Sequence, residues 1–158
     1  MAIKTKPFLI LAGISGIGKS RFPRMLSYKC CTERLKNVNG DPENFLLLQV
    51  QPDWRDSSEL LGYMTRSGCY EITSFVRFLV KAWGNLDIPF ILCLDEMNLA
   101  HVEYYFATFL SVIESKRFTK NNLISDAFII PNDILDYSKE DNTFWSRLGV
   151  RMYPQLQA

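Results

Sequence analysis

Three unbroken apolar runs constrain this chain more than any other feature: FLILA (8–12), NFLLLQV (44–50) and FILCLD (90–95). Each has the length of a strand, and each gives way at once to glycine or polar residues. Segments of helical period separate them. Strands alternating with helices predict an α/β domain with a mostly parallel sheet, because a parallel strand pair needs a crossover to return the chain.

The helical segments follow from spacing. Phe22, Met25, Leu26 and Cys30 predict one face of a helix over 18–30. Pro23 conflicts with that start, since inside a helix proline lacks a donor and crowds the preceding turn, so the turn is distorted or the helix begins late. DSSE (56–59) has the form of a capping box, with Asp56 accepting from the backbone and Glu59 reaching back, ahead of a short helix at 57–61 ended by Gly62. Ile72, Phe75, Val76, Leu79 and Trp83 form one stripe of a helix over 71–83 that stops at Gly84. Val102, Tyr105, Phe106, Phe109, Val112 and Ile113 mark another helix, to about Ser115. In the last forty residues, AFIIP (127–131) and LGVRMY (148–153) read as short strands among polar turns.

Composition narrows the class. At 158 residues and 47% apolar, the chain can bury one core. The net charge of +1 argues against nucleic acid as a bulk partner, although residues 1–36 carry eight basic side chains against Glu33 alone, so the remainder carries −6. An anion would favour that first quarter, unless the surplus is simply a solvated helix face. Cys30, Cys31, Cys69 and Cys93 form no C-x-x-C pair, which points away from zinc and disulfides and toward a reducing, cytoplasmic setting. The apolar start is too short for a secretion signal, and no run is long enough to cross a membrane.

The first and third apolar runs each end in chemistry. After the first comes Gly13-x4-Gly18-Lys19-Ser20, a glycine-rich turn opening onto a helix. Glycines at 13, 16 and 18 let backbone amides turn inward onto an anion, and the helix start adds partial positive charge. Gly13, Ile14, Ser15, Gly16, Ile17, Gly18, Lys19, Ser20 and Arg21 are therefore the candidate nucleotide-binding residues. Lys19 would reach the terminal phosphates, and the Ser20 hydroxyl would ligate Mg2+. After the third run come Asp95, a second candidate metal ligand, and Glu96, a candidate catalytic base for the attacking water. The plain alternative for this pair is a polar strand end.

GISGIGKSR, VQPDWRDSSELLGY and LDEMNLAHVEYYFATFLSVIE, in that order, resemble the AAA+ NTPase module of the McrB type, the nucleotide-driven subunit of modified-cytosine restriction systems. The resemblance covers residues 7–117 and extends to the MoxR-like and dynein-related modules. It implies a three-layer P-loop NTPase core over 1–117, incomplete at its C-terminal end, with 118–158 as a tail of the same domain. It implies Mg2+-dependent hydrolysis of ATP or GTP by a homo-oligomer, usually a hexameric ring, with a nuclease subunit and DNA as partners of the full assembly. Lys19 and Glu96 then match catalytic positions, and Asn98 matches an asparagine found after the acidic pair; by residue type alone Asn98 also suits a helix N-cap. His101 stands where many relatives carry arginine, and reads equally as a neutral histidine at a solvated helix start. Trp54 and Tyr63 offer either an interaction surface or core filling.

The sequence also departs from that pattern. Relatives insert a further strand, ending in a polar sensor residue, between the strands bearing Lys19 and Asp95, yet no G-T-x-N-x-D stretch follows residue 117. The arginine finger and helical lid have no counterpart either. An unfilled slot would leave the two halves of the site apart, which favours the alternative of a truncated nucleotide-binding or assembly module without hydrolysis of its own. A small phosphate-transferring kinase would need an arginine-rich lid, and residues 118–158 hold only Arg147 and Arg151.

Overall fold

The computed structural model describes residues 8–14, 16–115, 117–119 and 122–124. In chain order the elements are α1 (Arg21–Cys30), β1 (Phe45–Gln49), α2 (Ser58–Leu61), β2 (Gly62–Met64), β3 (Tyr70–Ile72), α3 (Ser74–Trp83), β4 (Ile91–Asp95), α4 (Val102–Tyr105), α5 (Ala107–Glu114), β5 (Arg117–Thr119) and β6 (Asn122–Ile124). AFIIP and LGVRMY lie outside the described residues.

β1 and β4 pair in parallel, with Phe45 opposite Ile91 and Gln49 opposite Asp95. Everything between them forms the crossover that parallel pairing requires. The chain is thus a mixed α/β protein with a small parallel sheet. The ladder continues past both ends: Ile91 N donates to the Asn44 carbonyl at 2.9 Å, and Val50 N donates to the Asp95 carbonyl at 3.0 Å.

The core sits on one face of this pair. Val50, Leu60, Phe75, Tyr105 and Phe106 are buried together, with Leu46, Leu48, Leu92 and Leu94 against them. Leu47, between two of these, is exposed, as the period of two along a strand dictates. The apolar run of β1 is therefore covered less completely than a strand buried on both faces.

α3 carries part of the predicted stripe, with Phe75 and Val76 buried and Leu79 packed against the core, and buries Val80 as well. It begins three residues later than the spacing predicts, because Thr73 is its N-cap, accepting from Val76 N through its side chain, and residues 70–72 belong to β3. The hairpin of β2 and β3 was not legible in the apolar pattern. Its turn is polar: Gly68 has φ +78°, and Thr65 Oγ1 bonds both the amide and the carbonyl of Cys69.

The capping box forms in part. Asp56 accepts from Ser58 N at 2.7 Å, while Glu59 shows no return bond to the backbone among the described contacts. The predicted helix over 102–115 breaks at Phe106, whose backbone (φ −113°, ψ 2°) leaves the helical range so that Tyr105 and Phe106 both enter the core.

Two expectations near the N-terminus are corrected. FLILA (8–12) is no strand: the described residues provide it no ladder partner, and Phe8, Leu9, Ile10 and Leu11 are exposed. An apolar run becomes a strand only where another edge accepts its backbone groups. The helix after it starts late, at Arg21, which leaves Pro23 in the first turn, where its missing donor has no intrahelical partner to lose. Its buried residues are Pro23 and Ser27, while Phe22 and Met25 face solvent, so the inward face is rotated from the one predicted. Asn44 fixes that orientation. Its buried amide donates to the Ser27 carbonyl at 3.3 Å and the Pro89 carbonyl at 2.9 Å, tying α1 to the approach of β4.

Candidate functional site

The site is assembled where α1 begins and β4 ends, at the C-terminal edge of the parallel pair, where open α/β sheets place their ligands. Gly16 and Gly18 have φ of +83° and +86°, a left-handed backbone that other residues rarely adopt. The close approach is at Gly13, where a Cβ would stand 2.3 Å from Ile17 Cδ1. These glycines bend the chain back so that the Gly18 carbonyl accepts from the amides of both Arg21 and Phe22, at 3.1 Å each, and starts the helix.

Lys19 curls over this turn. Its ammonium donates to the carbonyls of Gly13 and Ile14, both at 2.8 Å. The lysine thereby closes the loop into a ring, with its charge on the loop's own oxygens. Ile14, Ile17 and Arg21 are exposed around it, and Ser15 lies outside the described residues.

The next residue reaches the other half. Ser20 Oγ donates to Asp95 Oδ1 at 3.1 Å, across 75 residues of sequence. The two halves meet at this contact, while the region after residue 117 in which a further strand was sought lies largely outside the described residues. A hydroxyl and a carboxylate this close are two hard oxygen donors of the kind Mg2+ accepts. The described residues contain no cluster of three His, Cys, Asp or Glu side chains suited to a metal. Mg2+ bound with a nucleotide does not need one.

Beyond Asp95 the backbone turns abruptly. Glu96 is the one described non-glycine residue with positive φ (φ 53°, ψ 40°), a conformation costing about 1–2 kcal/mol relative to the right-handed one. Its side chain is exposed. A 3-10 turn over Met97–Leu99 follows, closed by Leu99 N on the Glu96 carbonyl at 2.9 Å. Asn98 lies inside that turn and is exposed, so it caps no helix; the residue preceding α4 is His101. His101 is solvent-facing, 3.4 Å from Glu103 and in tilted ring contact with Tyr104, as expected of a histidine at a solvated helix start.

The two aromatics singled out by sequence separate. Trp54 packs against the core edge-on to Tyr105, with ring centroids 5.2 Å apart, whereas Tyr63 is exposed on β2. Tyr105 itself emerges as a residue of the site. Its hydroxyl donates to the Met97 carbonyl at 3.2 Å, directly behind Glu96, and burial pushes its phenol pKa up. Sequence spacing marked it only as one apolar position in a stripe, which gives no hint of where a hydroxyl ends.

Three of the eight basic side chains of the first quarter form surface ion pairs. Arg24 lies 4.0 Å from Asp41, Arg34 binds Asp87 at 2.7 Å, and Lys36 binds Glu33 at 2.5 Å. Lys19 and Arg21 are the basic side chains at the loop itself. Burial, and secondarily Asp95, pushes up the thiol pKa of Cys93 on β4, which keeps it protonated beside the acidic end.

No helix among the described residues is long and apolar enough to cross a membrane. The chain matches no family model, and comparisons with curated proteins and with solved structures likewise find no match.

Proposed function

We propose that this chain is the core of a P-loop nucleoside triphosphatase, an AAA+ module of the McrB type, that binds Mg2+-ATP or Mg2+-GTP at residues 13–21 and hydrolyses it with Glu96. The observation that carries the reading is the 3.1 Å contact between Ser20 and Asp95, which unites a glycine-rich helix start with the acidic end of a parallel strand. Charge and geometry then divide the work. Amides of the loop and the start of α1 hold the phosphates, and Lys19 exchanges the Gly13 and Ile14 carbonyls for phosphate oxygens. Ser20 and Asp95 would hold Mg2+, which when bound would neutralise charge on the phosphates. The carboxylate of Glu96 orients a water for in-line attack and accepts its proton. Asn98, exposed two residues on, is within the same turn and contributes a polar contact to nucleotide or water.

Calorimetric titration of the chain with ATP and with GTP, each with Mg2+, tests binding and identifies the base. Lys19→Ala abolishes binding at concentrations that saturate the parent; unchanged binding would end the proposal. Glu96→Gln keeps the affinity and lowers turnover by two or more orders of magnitude, as expected for loss of a positioned base (about 10²–10⁴-fold). Assembly into a ring, with a nuclease subunit and DNA as partners, rests on the resemblance alone.

A second reading, nucleotide binding and assembly without turnover, draws on residues 8–12, which join no strand ladder among the described residues. Hydrolysis by the 158-residue chain that Glu96→Gln removes would dismiss it.

A further inference from the structure

We infer that Tyr105 is a positioning residue for Glu96: its buried hydroxyl holds the turn that keeps Glu96 in its left-handed conformation and so aims the carboxylate. The inference rests on the hydrolytic role proposed for Glu96. Three successive carbonyls, from the last residue of β4 onward, are each held from a different side. That of Asp95 accepts from Val50 N at 3.0 Å, that of Glu96 from Leu99 N at 2.9 Å, and that of Met97 from the Tyr105 hydroxyl at 3.2 Å. Only the last uses a side chain. The first bond joins the strand end to buried Val50 and the second is internal to the turn; beyond Asp95 the turn is tied to the core, among the described residues, by the packing of the Met97 side chain and by a hydrogen bond from Tyr105. Tyr105 is fully buried, sits in the same cluster as Val50, Leu60, Phe75 and Phe106, and is braced edge-on by Trp54.

A residue in an unfavourable backbone region persists only where its surroundings over-determine it. Glu96 is exposed, so its own side chain does not supply that restraint. Loss of the Met97 anchor frees the peptide following Glu96 to rotate, and the left-handed residue then relaxes toward ordinary φ and carries its carboxylate away from the Ser20–Asp95 contact. Misplacement on the scale of an ångström lowers a positioned reaction by orders of magnitude without removing any reacting group.

Tyr105→Phe tests this, since it deletes the hydroxyl and keeps the ring against Trp54. Amide hydrogen exchange followed residue by residue should show the Leu99 amide, whose acceptor is the Glu96 carbonyl, exchanging at least about ten-fold faster, while the amides of Leu92 and Leu94 in β4 are unchanged. In the hydrolysis assay Tyr105→Phe should lower kcat about ten-fold with KM for the nucleotide unchanged. Combined with Glu96→Gln it should add nothing further, because it acts through that residue. Phe106→Leu, which removes volume from the same core, controls for stability loss and should leave both Leu99 exchange and kcat near the parent values. Unaltered Leu99 exchange in Tyr105→Phe would overturn the inference, as would an additive loss in the double variant. Glu96→Gln with undiminished turnover would instead remove the catalytic reading of Glu96, while faster Leu99 exchange would still establish the anchor.

Discussion

Residues 13–20 and residues 95–99 touch through one hydrogen bond, yet they hold their shapes by different means. The glycine-rich loop is held by its own backbone: left-handed glycines, a helix start on the Gly18 carbonyl, and Lys19 clasping two loop oxygens. The acidic turn is held by the core, through the sheet ladder at Val50 and the hydroxyl of Tyr105. A self-closed loop can rearrange around a ligand without disturbing packing, because the lysine contacts it gives up are exposed ones. A turn anchored in a core cannot move cheaply, which suits the role of base proposed for Glu96. The contrast predicts that loss of the Tyr105 hydroxyl loosens the acidic end and that damage to the loop leaves the fold standing.

The largest effect should come from Phe75→Ala. Phe75 is 1% exposed and packs edge-on against Phe109 at 5.5 Å, so truncation should cost about 3–5 kcal/mol in chemical denaturation. A loss under about 1 kcal/mol would mean that the core behind the acidic turn is not the cluster described. Ser20→Ala should cost far less, about 0.5–1.5 kcal/mol, since it removes one partly buried hydrogen bond. The same variant should abolish the gain in nucleotide affinity that Mg2+ provides, and an undiminished Mg2+ effect in titration would break the link between the two ends.

The smallest effect is at Asp56, far from this contact. Hydrogen bonds from the Ser58 side chain and amide hold its carboxyl below the ordinary carboxylate range. A lowered folded value stabilises at pH above the unfolded one and loses that contribution as pH falls through the folded value. Because the group is exposed, the contribution should stay under about 1 kcal/mol. The stability difference between the parent and Asp56→Ala, measured by denaturation at several pH values, should therefore shrink toward acid; a difference that grew would reverse the sign assigned here.

The readable parts of this molecule were the local ones. NFLLLQV and FILCLD are strands because continuous apolar runs of that length have few other ways to bury themselves, and the α3 stripe from Phe75 to Leu79 follows from the helical period. Gly84 after α3 and Gly62 after α2 stop their helices as their residue type suggests. FLILA has the same composition as those two strands and differs in its surroundings: a strand requires a second edge, and no local pattern states whether one exists. The face of α1 went unread for a related reason. Pro23 and Ser27 turn inward where Asn44 binds the Ser27 carbonyl, a contact between residues 17 apart that spacing within the helix does not encode.

By itself the sequence determined the two strands of the parallel pair and the helix between them that ends at Gly84, and which residue types stand at the glycine-rich turn and after the third apolar run. These depend on steric and hydrophobic preferences that act within a few residues of each other. Only the tertiary structure decided that Ser20 meets Asp95, that Glu96 adopts a left-handed backbone, and that the Tyr105 hydroxyl stands behind it. Such contacts join groups from separate elements, so they exist only once the parallel pair and its crossover have closed around one core.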